Sequence, residues 1–220
     1  VPVSGLCVAD PCLLPDGSSP CAPPGPDKCR AKLGNAECYC PEGSDESPSG
    51  CVEKDPRAFV TQGRFRAQDI GGLEGADAIC ANEAAAGGLP GAYGAWLSTP
   101  GQPASQRFAG GGPWRTFDPK LGLWVGLVAT DVTDLTDGIL ERPISHTTLA
   151  KEVDESCYAW TGTIPSGSFP PPIASMGGDC GAWSTSVPGT VALAGSCLES
   201  DALWTAALAL ECNTERALYC

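Results

Sequence analysis

Apolar positions are unevenly distributed along the chain. Through residue 55 no apolar periodicity is long enough to build a core, and the stretch runs through segments rich in Pro, Gly and charge, such as PDGSSPCAPPGPDKC and PEGSDESPSGC. The pattern changes near Phe59. AFV predicts a short apolar strand, and TQGRFRAQDIGG a loop after it. LEGADAICANEAAA has high helix propensity and stops at Gly87-Gly88, which predicts a helix with a glycine end. Within it Leu73, Ala76, Ile79, Cys80 and Ala84 share one face, so Cys80 is expected to point inward. AYGAWLS alternates as a strand does, and LGLWVGLVAT predicts a second, more buried strand. Beyond Thr130, CYAWTGT, CGAWSTS, TVALAG and RALYC read as short strands between runs of Gly, Pro, Ser and Asp. ESDALWTAALALEC stays open: Ala and Leu favour helix, while even spacing and flanking cysteines suit a strand or loop.

Composition sharpens this picture. With 28 Gly and 21 Pro among 220 residues, a loop-rich, mostly β protein fits better than a helical bundle. The length allows one sizeable core, or one core with a small satellite domain. A hydrophobic content of 42% excludes wholesale disorder. Thirteen Lys and Arg stand against 26 Asp and Glu, a net charge of −13, which argues against nucleic acid or heparin as a partner. No apolar run approaches the roughly 18 residues of a membrane span. No basic-then-apolar signal segment opens the chain, which reads as already processed.

The 13 cysteines, at 7, 12, 21, 29, 38, 40, 51, 80, 157, 180, 197, 212 and 220, set the compartment. A zinc site would need CxxC or Cys/His pairs; no CxxC occurs, and His146 is the only histidine. Disulfides in an oxidising, extracellular space are the better account. Seven of the 13 fall in the first 51 residues, where so small a segment needs staples to fold. Pro56, in EKDPRAF, marks the boundary between a module at 1–55 and a domain at 56–220.

The order Cys12, Cys21, Cys29, Cys38, Cys40 and Cys51, with the tight Cys38-Tyr39-Cys40 step and the PEG after it, resembles an EGF-like module. The resemblance implies Cys12–Cys29, Cys21–Cys38 and Cys40–Cys51 pairing. The acidic and Asn/Asp positions of calcium-binding EGF modules are missing here, so this module is expected to act as a rigid spacer without calcium. Residues 57–220 resemble a bacterial secreted domain family of unknown function related to endostatin, within the broad C-type lectin-like group. The residues that carry this are AFVTQGRF, GGLEGADAIC and AAAGGLPGAYGAWLS. With them go Asp134-Leu-Thr-Asp-Gly138, LERPI, Tyr158-Ala-Trp-Thr-Gly162, Cys180-Gly-Ala-Trp-Ser184 and Arg216-Ala-Leu-Tyr-Cys220. This resemblance implies Cys80–Cys220 and Cys180–Cys212 bonds. Cys157 and Cys197 are then left and most simply pair with each other. Cys7 remains odd, as a free thiol, an intermolecular link, or a substitute within the EGF-like set.

No GxSxG, HExxH or Walker A pattern is present. His146, in ISHTTLA, is read as an ordinary surface residue. Asp131, Asp134 and Asp137 recur every third residue, with Gly138 after them. Carboxylates so placed hold calcium, or else cap turns through their own backbone. The Glu-Pro-Asn or Gln-Pro-Asp loop and Trp-Asn-Asp strand of sugar-binding lectins are missing, and Glu141-Arg-Pro143 has a different order. The heparin and zinc properties of endostatin do not transfer to an acidic chain with one histidine. Trp160 and Trp183 are expected in the core, and Trp114, in GGGPWRTF, as the exposed aromatic. No N-x-S/T sequon exists at Asn35, Asn82 or Asn213.

The expected fold is α+β and β-rich: a small disulfide-stapled EGF-like module and an endostatin-like, C-type lectin-like domain with one main helix. The expected function is non-catalytic binding or adhesion at a bacterial surface or matrix, requiring no cofactor, through an extracellular protein or glycan ligand. The competing expectation is a structural subunit of a filament or matrix, with copies of itself as partners and Cys7 as the link.

Overall fold

The computed structural model of the protein describes residues 54–171 and 178–220, Cys40, and the backbone of four short strands before them. Those strands are β1 (Cys29–Lys32), β2 (Asn35–Cys38), β3 (Ser44–Ser47) and β4 (Gly50–Glu53). They form two antiparallel pairs, Cys29 opposite Cys38 and Ser47 opposite Gly50. The chain divides into two compact units, Val1–Asp55 with Asp118–Val125, and Pro56–Phe117 with Gly126–Cys220.

In the second part of the chain come α1 (Ala67–Ile70), α2 (Gly72–Ala86), α3 (Ala104–Arg107), β5 (Trp114–Asp118) and β6 (Leu123–Ala129). They are followed by α4 (Val132–Leu135), β7 (Tyr158–Trp160), the turn α5 (Cys180–Trp183) and β8 (Val191–Ser196). The last elements are α6 (Leu203–Ala206), β9 (Leu208–Glu211) and β10 (Ala217–Leu218). The chain is thus α+β, with α2 the one long helix among the described residues. That helix forms where alanine favours it and stops at Gly87, with Gly88 at φ +70, a conformation cheap only for glycine. Its Ala76, Cys80 and Ala84 are buried, whereas Leu73 and Ile79 are only half-buried.

The main sheet has the order β10-β7-β8-β9. β10 runs parallel to β7, and the other pairs are antiparallel. The AFV segment is not a full strand. It lies along the last strand instead, where Phe59 and Cys220 exchange N–H···O bonds of 2.9 Å and Thr61 N–H donates to Leu218 O at 2.9 Å. Two adjoining groups of buried side chains form the core. One is built around Val60, Trp96, Val128, Trp204 and Tyr219, the other around Ile70, Leu97, Trp160, Trp183 and Leu218.

The structure corrects two further local readings and resolves one that was open. AYGAWLS is not a strand; Ala95, Trp96, Leu97 and Ser98 are all buried, so its alternation does not mark a core face and a solvent face. Asp77 on α2 and Arg107 on α3 hold this segment: Arg107 Nη1 donates to Ala95 O and Leu97 O, Nη2 to Asp77 Oδ1, and Asp77 Oδ1 accepts Ala95 N–H at 2.8 Å. CGAWSTS is a turn, with positive φ at Cys180, Gly181, Ala182 and Trp183. ESDALWTAALALEC resolves into one helical turn, α6, followed by β9.

Trp160 and Trp183 are fully buried. Trp183 Nε1 donates to Ser98 O at 2.9 Å, and Trp96 Nε1 to Thr205 Oγ1 at 3.0 Å. Ser98 Oγ pairs with Thr163 Oγ1 at 2.8 Å, and Thr161 Oγ1 donates to Thr205 O at 2.6 Å. This buried hydroxyl network satisfies loop backbone that no regular sheet covers. Trp114, expected to be exposed, is half-buried, its ring edge-on to Phe108 at 6.4 Å. Among the described residues no helix is long and apolar enough to cross a membrane.

Candidate functional site

Three disulfides tie the second part of the chain: Cys80–Cys220, Cys157–Cys197 and Cys180–Cys212. Cys40 is also disulfide-bonded. The state of Cys7 and the pairing of Cys12, Cys21, Cys29, Cys38 and Cys51 lie outside the described residues.

The three aspartates of the candidate calcium loop work locally. Asp131 caps α4, its Oδ1 accepting N–H from Thr133 at 2.7 Å and Asp134 at 3.0 Å. Asp134 Oδ2 accepts from Thr130 N–H at 2.6 Å and Thr130 Oγ1 at 3.0 Å, and Asp137 Oδ1 from Ile139 N–H at 2.9 Å. Among the described residues no three His, Cys, Asp or Glu side chains converge as a metal would need. The Asp134 and Thr133 N–H groups hold the Asp131 carboxyl below its ordinary value. A depressed folded value means the stabilisation is present above the unfolded value, about 3.9, and is lost as pH falls through the folded one. Asp131→Ala is therefore expected to lower the melting temperature slightly at neutral pH, and Asp131→Asn, which keeps a capping oxygen, less so. Thermal melts along a falling pH series check this: the alanine deficit should close in acid, and a deficit constant with pH would remove the carboxylate from the account.

His146 is not a surface residue. It is 7% exposed, its Nδ1 lies 3.2 Å from Ser145 Oγ, and its ring stands 5.5 Å from that of Phe117. Its backbone O accepts Val60 N–H at 2.9 Å.

A groove of about 380 Å³ opens beside it, bordered by Thr61, Gln62 and Arg64 on one side and Thr147, Lys151, Glu152 and Asp154 on the other. The first wall is a tight turn. Thr61 Oγ1 donates to Gly63 O at 2.8 Å, and the Glu83 carboxylate on α2 accepts N–H from Gln62 at 2.7 Å and Gly63 at 2.9 Å. The second wall turns back on itself, with Thr147 N–H donating to Lys151 O and Val153 N–H to Ser145 O, both at 2.9 Å. Cys157 and Ala217 complete the lining.

Charges of both signs face this groove. Arg64 Nη2 stands 3.8 Å from Asp154 Oδ2. The Ser156 hydroxyl and N–H donate to Asp154 Oδ1 and hold that carboxyl below the usual range, which makes it a poor base. Thr147 is 5% exposed, and its Oγ1 is buried with no hydrogen-bond partner. The groove has hydrogen-bonding groups and point charges but no paired nucleophile and base. It can hold a polar ligand. The sequence gives no local sign of it, because its walls come from segments more than 80 residues apart. No known family model matches the chain, and no curated protein matches it in sequence.

Proposed function

We propose that the protein is an extracellular, non-catalytic binding protein of a bacterial surface or matrix. In this reading an EGF-like module at 1–55 carries an endostatin-like, C-type lectin-like domain at 56–220, and the groove between Thr61–Arg64 and Thr147–Asp154 receives a polar protein or glycan ligand. The observation that carries it is the groove itself, edged by Arg64, Lys151 and the carboxylates of Glu152 and Asp154. The disulfides support an oxidising compartment.

Glycan and matrix-protein arrays probed with the purified chain test this. Binding to a defined class of spots is expected to weaken about tenfold or more, roughly 1.4 kcal/mol, in Arg64→Ala/Lys151→Ala with circular dichroism unchanged. Absence of binding, or binding that ignores the double substitution, would overturn the assignment of the groove. The filament reading keeps one specific support: 13 cysteines is an odd number, so these residues cannot all pair within one chain. A Cys7–Cys7 cross-link in non-reducing peptide mapping would put that reading first.

A further inference from the structure

A pocket of about 210 Å³ is lined by Val191, Leu193 and Ala209 of β8 and β9 and by Ile164, Pro170 and Pro171 of the loop before them. The register sets Leu193 opposite Ala209 and Val191 opposite Glu211, so these four side chains share one face of the sheet. Pro171 and Ala209 are exposed, and the pocket reaches solvent beside them. A cavity of about 150 Å³ holds a benzene-sized ring, so this one takes the side chain of a leucine or phenylalanine.

The strand beside the pocket is open. β9 ends the order β10-β7-β8-β9, and among the described residues its outer edge has no strand neighbour. An edge strand presents backbone N–H and C=O groups along that side, and Lys or Pro is the common guard against an added strand. The sequence of β9, Leu-Ala-Leu-Glu, has neither, and its Leu208 is 45% exposed.

Charge narrows the choice of occupant. Between Lys151 and Arg216 the chain carries eight acidic residues and no Lys, Arg or His. The pocket and both strands come wholly from this stretch. Glu211 is exposed on the pocket face and forms no ion pair among the described residues. A second copy of the chain is a poor occupant, because it would bring the same carboxylates against each other.

We propose that β9 and this pocket dock a short, extended, basic peptide segment of a partner protein. Its backbone adds to the open edge of β9, one bulky apolar side chain enters the pocket, and a Lys or Arg two residues away meets Glu211. The site uses none of the groove residues and stands apart from the groove's proposed role.

Amide NMR titration of the full chain with the capped peptides KVFVK, KVAVK and EVFVE at low salt tests it. In KVFVK the phenylalanine and both lysines share a face. KVFVK should bind, and KVAVK about tenfold or more weaker, since it leaves the pocket unfilled. EVFVE should also bind about tenfold weaker, a gap that added salt should narrow. A KVFVK N-methylated along its backbone should not bind. Glu211→Gln should weaken KVFVK severalfold and reduce its salt dependence. Ala209→Phe, which puts a ring at the pocket's rim, should abolish binding without lowering the melting temperature, whereas Arg64→Ala/Lys151→Ala should leave it unchanged. Equal binding of KVFVK and KVAVK would overturn the pocket, and indifference to N-methylation would overturn the added strand. Equal or tighter binding of EVFVE, or no binding of any peptide, would overturn the basic partner. Dimerisation of the free chain that Ala209→Phe abolishes would assign the face to a second copy and overturn the peptide.

Discussion

Gly195→Ala is expected to lower the melting temperature by about 6–12 °C, the equivalent of roughly 3 kcal/mol in a domain of this size. Gly195 sits in β8, between β7 and β9, with Ala159 opposite it. A Cβ there would lie 1.8 Å from Trp204 O, 2.5 Å from Trp204 C and 2.8 Å from Thr205 Cα. These are backbone atoms of α6, so no change of rotamer relieves the clash. Neither partner moves easily: β8 is paired on both edges, and Trp204 and Thr205 are buried. The helical turn must lift off the sheet, which opens the core around Trp96 and Tyr219. Gly101→Ala is the control, because a Cβ at Gly101 meets nothing within 4 Å. Thermal unfolding followed by circular dichroism reads both. Equal melting temperatures for the two variants would mean that α6 does not pack on β8 at this distance.

That close approach could not be read from TVALAGS, where the glycine looks like the end of an ordinary strand. What could be read was local. The alanine-rich run and its paired glycines marked α2, and the apolar runs marked β6 and β8. Alternation misled at AYGAWLS, since tertiary contacts bury both faces of Ala95–Ser98, and the segment's hydrogen bonds go to Arg107, Asp77, Tyr219 and Thr161 rather than to a strand partner. At CGAWSTS the signal was absent. Ala182 and Trp183 take positive φ, a region that neither residue type favours, because packing against Trp160 and the Cys180–Cys212 bond hold them there. The candidate sites show the same division. Asp131, Asp134 and Asp137 stood out by spacing and proved to be local caps. The groove gathers residues from across the domain, and no window of sequence contains it.

Replacing Cys80 and Cys220 by alanine is expected to be the most damaging of the three disulfide deletions. Loop-closure entropy rises with the number of residues enclosed, and this bond closes a separation of 140 against 40 for Cys157–Cys197 and 32 for Cys180–Cys212. The entropic argument gives about 5 kcal/mol for the first and roughly 4 kcal/mol for each of the others. For a domain of this size the first corresponds to a fall of about 10–20 °C in melting temperature. The position adds to the effect. Cys80 is the buried centre of α2, and Cys220 follows β10 and exchanges hydrogen bonds with Phe59 near the start of the domain. Without the bond, the helix, the first segment and the last strand are joined by packing, backbone hydrogen bonds and the side-chain bonds of Glu83 and Thr61. Melting the three double-alanine variants side by side separates two accounts of stability. If the deficits follow enclosed loop length, the bonds act mainly by restricting the unfolded chain. If Cys180→Ala/Cys212→Ala costs most, the governing contribution is instead native-state packing at the positive-φ turn beside Trp183, and the rank expected here fails.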